Sequence, residues 1–240
     1  MRKLILLLTV IILVPIASVA NDDGGEREFT VYYLSLNDGK IIIIEDKENI
    51  GTYDNPIIDS DMSIEQAFQG LPSDCPQYIR NRQRLITVKY YSFDGMIHQG
   101  QLVIDTDLTD DMEFAFEEAL KKEFPIYSVI PMSHTDFRRK GRWDDNASME
   151  ANNTSCFNYR KITGGQNLSL HAYGKAVDIN PVQNPYIRKN VILPANSVYD
   201  PEASGTLTND SVIVKSLISR GWTWGGNWTD LKDYQHLEKR

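Results

Sequence analysis

Cysteine is scarce in this chain: Cys75 and Cys156 are the only two. Two cysteines do not make a disulfide framework, so a hydrophobic core has to hold the fold. In an oxidising compartment the two thiols either pair or lie buried apart. Basic residues are also in deficit, with 25 Lys and Arg against 33 Asp and Glu. That balance argues against a nucleic-acid partner and against docking by charge on anionic lipid. Beyond residues 4–16 there is no long apolar run, no internal repeat and no low-complexity tract. Several hydrolase signatures are missing as well: S-x-x-K, G-x-S-x-G and H-E-x-x-H. Histidine is limited to four positions, His98, His134, His171 and His236.

The N-terminus is informative. Arg2 and Lys3 precede the apolar run, and Ser18-Val19-Ala20 follows it with the small-x-small pattern that a signal peptidase reads. The run is shorter than the roughly 20 residues of a spanning helix. Residues 1–20 therefore read as a signal peptide rather than an uncleaved anchor, and no cysteine follows to carry a lipid. Cleavage removes two basic residues and moves the net charge from −8 to −10. What remains suits one domain with an N-terminal extension, monomeric, periplasmic or extracellular, with no membrane insertion after cleavage. Asn146, Asn152, Asn153, Asn167, Asn209 and Asn227 all lie in N-x-S/T sequons. A glycan on Asn167 would obstruct the segment that follows it, so a bacterial host that leaves these sites bare is the simpler reading.

Residues 21–28 are a polar leader. Strand patterns at 31–36 and 41–45 flank Asn37-Asp38-Gly39, a hairpin signal. A short helix at 63–68 behind Asp61 ends at Gly70-Leu71-Pro72, and prolines near Cys75 put a soft boundary at residue 80. This divides the chain into a signal peptide (1–20), an N-terminal extension (21–80) and a main domain (81–240). Strands at 85–91 and 101–105 flank Phe93-Asp94-Gly95. Thr109 caps a helix over 110–123 with Met112, Phe116 and Leu120 on one face, stopped by Pro125. Residues 130–166 read as polar, aromatic loop, a length that usually builds a functional surface. A buried strand follows at 176–180, then a helix from an Asn209 cap to Arg220 with Gly221 as its stop, then a closing strand at 234–238. This order indicates an α+β domain, a mainly antiparallel sheet with flanking helices.

His171 and His236 sit in the densest contexts. A catalytic zinc takes about three protein ligands from imidazole and carboxylate and leaves a position for water. Gly174 allows a sharp turn from His171 into the strand 176–180. There Ala176, Asp178 and Asn180 share one face, and Val177 and Ile179 the other. An Asp on an apolar strand needs a compensating charge, from a metal or an arginine. His236 alternates with Tyr234 and Glu238 on the closing strand. If the two strands are neighbours, two imidazoles and one carboxylate converge. Asp233, three residues before His236, then approaches from the preceding loop as a proton acceptor rather than a ligand. Taken singly, each histidine reads at least as well as a packed, hydrogen-bonded side chain.

The segment Ser169-Leu170-His171-Ala172-Tyr173-Gly174-Lys175-Ala176-Val177-Asp178 resembles the SxHxxGxAxD motif of the zinc D-Ala-D-Ala carboxypeptidase family. Asp233-Tyr234-Gln235-His236 resembles that family's C-terminal D/ExxH motif. The family includes vancomycin-resistance dipeptidases and carboxypeptidases and the phage L-alanyl-D-glutamate endolysins, and the hedgehog signalling domain shares its fold. The stretch 153–160 and Trp224-Gly225-Gly226 resemble the endolysin-like branch, and the likeness runs from about residue 85 to the C-terminus.

The resemblance implies a hedgehog/DD-peptidase-like fold and a zinc ion held by His171, Asp178 and His236. It implies Asp233 as general base, Arg160 as the arginine that steadies the carbonyl or the developing oxyanion, and Ser169 as a support for substrate binding. Arg160 reads otherwise as an ion-pair residue, and Ser169 as a cap on the turn before His171. Asp144, Asp145 and Ser148 match an acidic segment of the family, with a structural turn as the rival reading. Tyr173, Trp224 and Trp228 are candidates for lining the cleft, against the commoner role of core aromatics. His98 and His134 are not assigned to the metal. The implied activity is hydrolysis of peptidoglycan stem peptides by metal-activated water, as a D-alanyl-D-alanine carboxypeptidase or an L-alanyl-D-glutamate endopeptidase. Cys156 is a poor nucleophile candidate, since no nearby histidine is free of the metal motif. The rival function is a non-catalytic zinc-containing cell-wall binding module, and Asp233 favours the enzyme.

Overall fold

The strand patterns and caps translate into a mixed α+β chain of several small sheets and a few helices, described in a computed structural model over residues 32–35, 41–44, 50–162 and 165–240. It divides into two compact units, 1–50 and 51–240. Of the first, strands β1 (Tyr32–Ser35) and β2 (Ile41–Ile44) are described, paired antiparallel. The Asn37-Asp38-Gly39 turn lies outside the described residues, as do residues 1–20. Among the described residues no helix is long and apolar enough to cross a membrane.

The second unit opens with β3 (Ile57–Ile58), α1 (Ile64–Ala67) and α2 (Gln77–Arg80). Ser63 rather than Asp61 caps α1, in a reciprocal box with Gln66. Strands β4 (Gln83–Tyr91) and β5 (Ile97–Asp105) form the long hairpin, and β3 runs parallel to β5. Residues 57–80 are thus built onto the hairpin, with Ala67 and Ile79 in one buried cluster with Val103 and Phe157.

Helix α3 (Thr109–Lys121) lies in the main core through Met112, Ala115, Phe116 and Ala119. Thr109 is its first residue and not its cap, because the chain enters through a 3-10 turn, Thr106–Leu108, that Asp105 caps instead. Residues 130–166 hold more structure than their composition suggests. Here β6 (Ser128–Val129) leads to β7 (Arg138–Arg139), β8 (Arg142–Trp143), α4 (Asp145–Glu150) and β9 (Asn153–Thr154). The Asp144 side chain accepts from Ala147 N and starts α4. Strand β9 runs parallel to β6, and Ser155 then bridges to Asp178.

The C-terminal part supplies β10 (Ala176–Asp178), β11 (Tyr186–Arg188), β12 (Val191–Leu193), α5 (Val212–Ser219), β13 (Thr223–Trp224), β14 (Lys232–Asp233) and β15 (His236–Glu238). The order β10-β15-β13 makes one antiparallel sheet and β12-β11-β14 another. Ser211 occupies the cap position of α5, while Asn209 exchanges hydrogen bonds with Asn227. Gly221 ends the helix in the left-handed region as expected. Val177, Ile179 and Leu237 face a core shared with α3, α5, Trp222 and Trp224. Cys75 and Cys156 are both free thiols.

Asp111 on α3 ties this core to the chain's last strand. It accepts from Trp222 Nε1 at 2.8 Å, Lys239 Nζ at 2.7 Å and Arg220 at 3.3 Å. Burial works to raise its pKa, but the Lys239, Trp222 and Arg220 hydrogen bonds hold it below the ordinary carboxylate value. A depressed folded-state pKa gives stability that is present above the unfolded value, near 4, and lost as pH falls through the folded value. Asp111→Asn is therefore expected to destabilise by about 1–3 kcal/mol at pH 7, the range for charged hydrogen bonds. In thermal melts the gap between the two proteins should close as pH falls below the ordinary carboxylate value; a gap independent of pH would exclude the charge.

Candidate metal centre

The local sequence explains how His171 and Asp178 come to one point. Ser169 Oγ accepts from His171 N at 3.3 Å and starts a single 3-10 turn, Leu170–Tyr173. Gly174 closes it at φ +67°, where a Cβ would lie 2.2 Å from Gln83 Oε1 and 2.6 Å from Asp105 N. Only glycine fits both that conformation and that approach. The chain then enters β10, whose alternation sends Val177 into the core and Asp178 to the other side. Strand β15 lies antiparallel beside it with Asp178 and His236 as direct partners.

His171 Nε2 lies 3.1 Å from Asp178 Oδ2, and His236 Nδ1 lies 3.0 Å from Asp178 Oδ1. The same two ring nitrogens are 3.1 Å apart. All three side chains are buried, and among the described residues they form the one group with metal-ligating spacing. Their outer atoms are fixed. His171 Nδ1 donates to the Cys156 carbonyl at 2.7 Å, and His236 Nε2 lies 3.1 Å from Glu238 Oε2. Since both outer nitrogens face acceptors, the inner nitrogens are left to present lone pairs toward Asp178 and each other, which is the state a metal takes. A tetrahedral site with bonds of about 2.0–2.1 Å has edges of about 3.3 Å, close to these spacings. The donor set fits a divalent metal.

The charges are interdependent. Burial works to raise Asp178, but His171 and His236 hold its carboxyl far below the usual range. Burial works against a charge on His236, while hydrogen bonds to Asp178 and Glu238 and the field of Asp178 and Asp233 carry its pKa up to about 10. A metal at the inner nitrogens would stand in for that proton.

The cluster lies in a cleft of about 490 Å³, also lined by Asp233, Gln235, Arg160, Ser169 and Trp228. Asp233 is on β14, in register with Tyr186 of β11. Its Oδ1 is buried without a hydrogen-bond partner. Burial raises its pKa to about 6, against the pull of His236, His171 and a hydrogen bond from Gln235. Gly225 passes directly behind it: a Cβ there would lie 2.5 Å from the Asp233 carbonyl. Arg160 Nε is 3.0 Å from Asp145 Oδ1, an ion-pair contact that lacks the alignment of a hydrogen bond.

Other candidates fall elsewhere. Tyr173 packs on the cluster around Phe157, and its carbonyl accepts from Gln83. Trp224 is buried in the main core, where its indole N–H donates to Tyr234 O at 2.8 Å. Neither lines the cleft, because each ring satisfies a core position first; Trp228, 5.4 Å from the His236 ring, is the indole that does. Asp144 caps α4, and Ser148 accepts from Asn153, so both serve the turn reading. His98 is clamped between Asp59 and Asp94, and His134 caps a 3-10 turn. Sequence reasoning missed Glu238, Gln235 and the β11–β12 wall of the cleft, which contributes Tyr186, Arg188 and Leu193.

Neither the curated proteins nor the solved structures gave a match to this chain. A family model did: the one described as D-alanyl-D-alanine carboxypeptidase matches residues 163–239. This supports the family read from the two motifs, and the matched segment holds His171, Asp178, Asp233 and His236.

Proposed function

We propose that this chain is an exported zinc metallopeptidase that hydrolyses peptidoglycan stem peptides, as a D-alanyl-D-alanine carboxypeptidase or an L-alanyl-D-glutamate endopeptidase. The observation that carries the reading is the buried His171–Asp178–His236 group in one cleft with Asp233, an acid whose Oδ1 has no hydrogen-bond partner. Zinc at the three side chains would supply Lewis acidity to the scissile carbonyl and bring water into the neutral titration range, near pH 7.

The protein's own groups do the rest. Asp233 takes the proton of the attacking water and returns it to the leaving amine. Arg160 donates to the carbonyl oxygen as negative charge develops, an interaction worth about 3–4 kcal/mol for an oxyanion donor in other hydrolases. Asp145, 3.0 Å from Arg160 Nε, holds the guanidinium in the cleft. Glu238 and the Cys156 carbonyl keep the two imidazoles from rotating. Ser169 supports the substrate from the rim of the cleft.

The same reading takes residues 1–20 as a cleaved signal peptide, 21–80 as an N-terminal extension and 81–240 as a monomeric peptidase domain of hedgehog/DD-peptidase-like, mainly antiparallel fold. Export to the periplasm or beyond the cell puts it beside its substrate. Digestion of purified peptidoglycan, with the fragments identified by mass, tests the proposal. Release of free D-alanine identifies the carboxypeptidase, and new L-alanine C-termini identify the endopeptidase. An unchanged digest by protein with zinc fully bound would instead favour the binding module.

A further inference from the structure

Buried polar atoms in proteins are nearly always hydrogen-bonded. Among the described residues, five buried side-chain atoms lack a partner: Gln83 Oε1, Arg160 Nε, Thr206 Oγ1, Asp233 Oδ1 and Gln235 Oε1. Three of these belong to Arg160, Asp233 and Gln235, which all line the cleft that holds the metal triad. Arg160 and Asp233 have parts in the reaction proposed above. Gln235 has none, although it is only 3 % exposed.

The neighbours of Gln235 fix which way its amide points. Its Nε2 lies 3.5 Å from Met149 Sδ, and it also gives a hydrogen bond toward Asp233. A thioether and a carboxylate only accept, so the nitrogen is turned to them and the oxygen is left over. The backbone is held as well, since Ile179 N donates to Gln235 O at 3.0 Å, next to Asp178. A buried carbonyl with fixed backbone, fixed amide orientation and no donor is a site waiting for an N–H.

We propose that Gln235 is a specificity-determining residue whose side-chain carbonyl accepts a backbone N–H of the substrate peptide beside the scissile amide. Gln235 Oε1 lacks a donor, and Arg160 lines the same cleft with its Nε paired to Asp145, so the Arg160 guanidinium and the Gln235 carbonyl together read a peptide backbone by its C=O and its N–H. The ligand class is a chain with a secondary amide at that position. A chain whose nitrogen there is alkylated leaves Gln235 buried and unpaired and is rejected. The placement beside the scissile bond rests on the peptidase reading; the contact itself does not.

The test is a binding cycle on the zinc-loaded protein, with stem peptides whose scissile amide is replaced by a non-cleavable isostere. Calorimetry would compare a synthetic stem peptide with a set methylated at one backbone nitrogen at a time, with and without Gln235→Leu. One methylated position is expected to weaken binding about tenfold, the scale of one buried hydrogen bond left unmade. Gln235→Leu should weaken the parent peptide similarly, with zinc content unchanged, and make that same methylation harmless. Gln235→Glu, which keeps an acceptor, should keep the preference. Equal binding of all peptides by the protein that keeps Gln235, or losses that simply add, would overturn the proposal. In turnover of the ordinary peptide, Gln235→Leu should raise KM and spare kcat. A fall in kcat at constant KM would make Gln235 a support for Asp233 and reject the substrate contact. If the wild type releases no amine from any stem peptide, the peptidase reading fails, while the binding cycle still decides Gln235.

Discussion

Asp233→Asn should retain its metal and its fold and lose turnover by about two to four orders of magnitude, the range for a removed general base. The substitution preserves shape and removes only basicity. The hydrogen bonds that orient His171 and His236 run to the Cys156 carbonyl, Asp178 and Glu238, and Asp233 Oδ1 has no partner in the protein to lose. Burial already disfavours its charge, so the neutral amide is not expected to unfold the site. Asp233→Glu should recover part of the rate, because its carboxylate reaches into the same cleft. The measurement is free amine released from a muropeptide, alongside zinc content. Normal turnover by the Asn variant would remove Asp233 from the mechanism.

A second large effect is expected at the metal. Wild-type protein should carry about one zinc per chain, and His171→Ala, Asp178→Asn or His236→Ala should each bring this close to zero. Each of these side chains is buried, and the outer nitrogens of both histidines are already engaged. Removing one member of a buried charged group typically costs about 3–5 kcal/mol even before metal is considered. Glu238→Gln provides the internal control. It keeps all three ligands and weakens only the hold on the His236 ring, so affinity should fall by about 10–100-fold without disappearing. Full zinc in either histidine variant would mean that the triad is a buried hydrogen-bond cluster and not a metal centre.

Much of the centre was legible because its logic is periodic. The turn residue Gly174 and the two-residue alternation of β10 place Asp178 opposite a core face, and the same alternation on β15 carries His236. That alternation also reaches Glu238, whose role it does not reveal by itself. Glu238 shares a face with His236, and an acid two residues past a ligand histidine is the natural orienting partner for its second nitrogen. The Cys156 carbonyl leaves no such trace, since any residue offers the same backbone oxygen. Helix α4 was signalled by Asp144 as a cap, but its six residues carry too little periodicity to stand out from the surrounding loop. The caps at Thr109 and Asn209 were misplaced for a shared reason. In both cases an adjoining turn uses the polar side chain or shifts the start by a few residues, and propensity alone does not see that competition. Tyr173 and Trp224 show the limit of arguing from neighbours in sequence: residues beside a motif are as easily turned into the core as into the cleft.

The pairing of Asp178 with His236 joins points 58 residues apart in the chain. A cation gripping both would act as a cross-link that closes a loop of that length. By loop-entropy arithmetic such a tie is worth about 4 kcal/mol through the freedom it denies the unfolded chain. That restraint falls unevenly. The long β4–β5 hairpin and α3 lie outside the loop, whereas α5, the β11–β12 wall and the tryptophan-rich turn behind Asp233 lie within it. Metal supply would then set the stability of the segment between Asp178 and His236 against local opening, leaving the earlier elements to their own hydrophobic contacts.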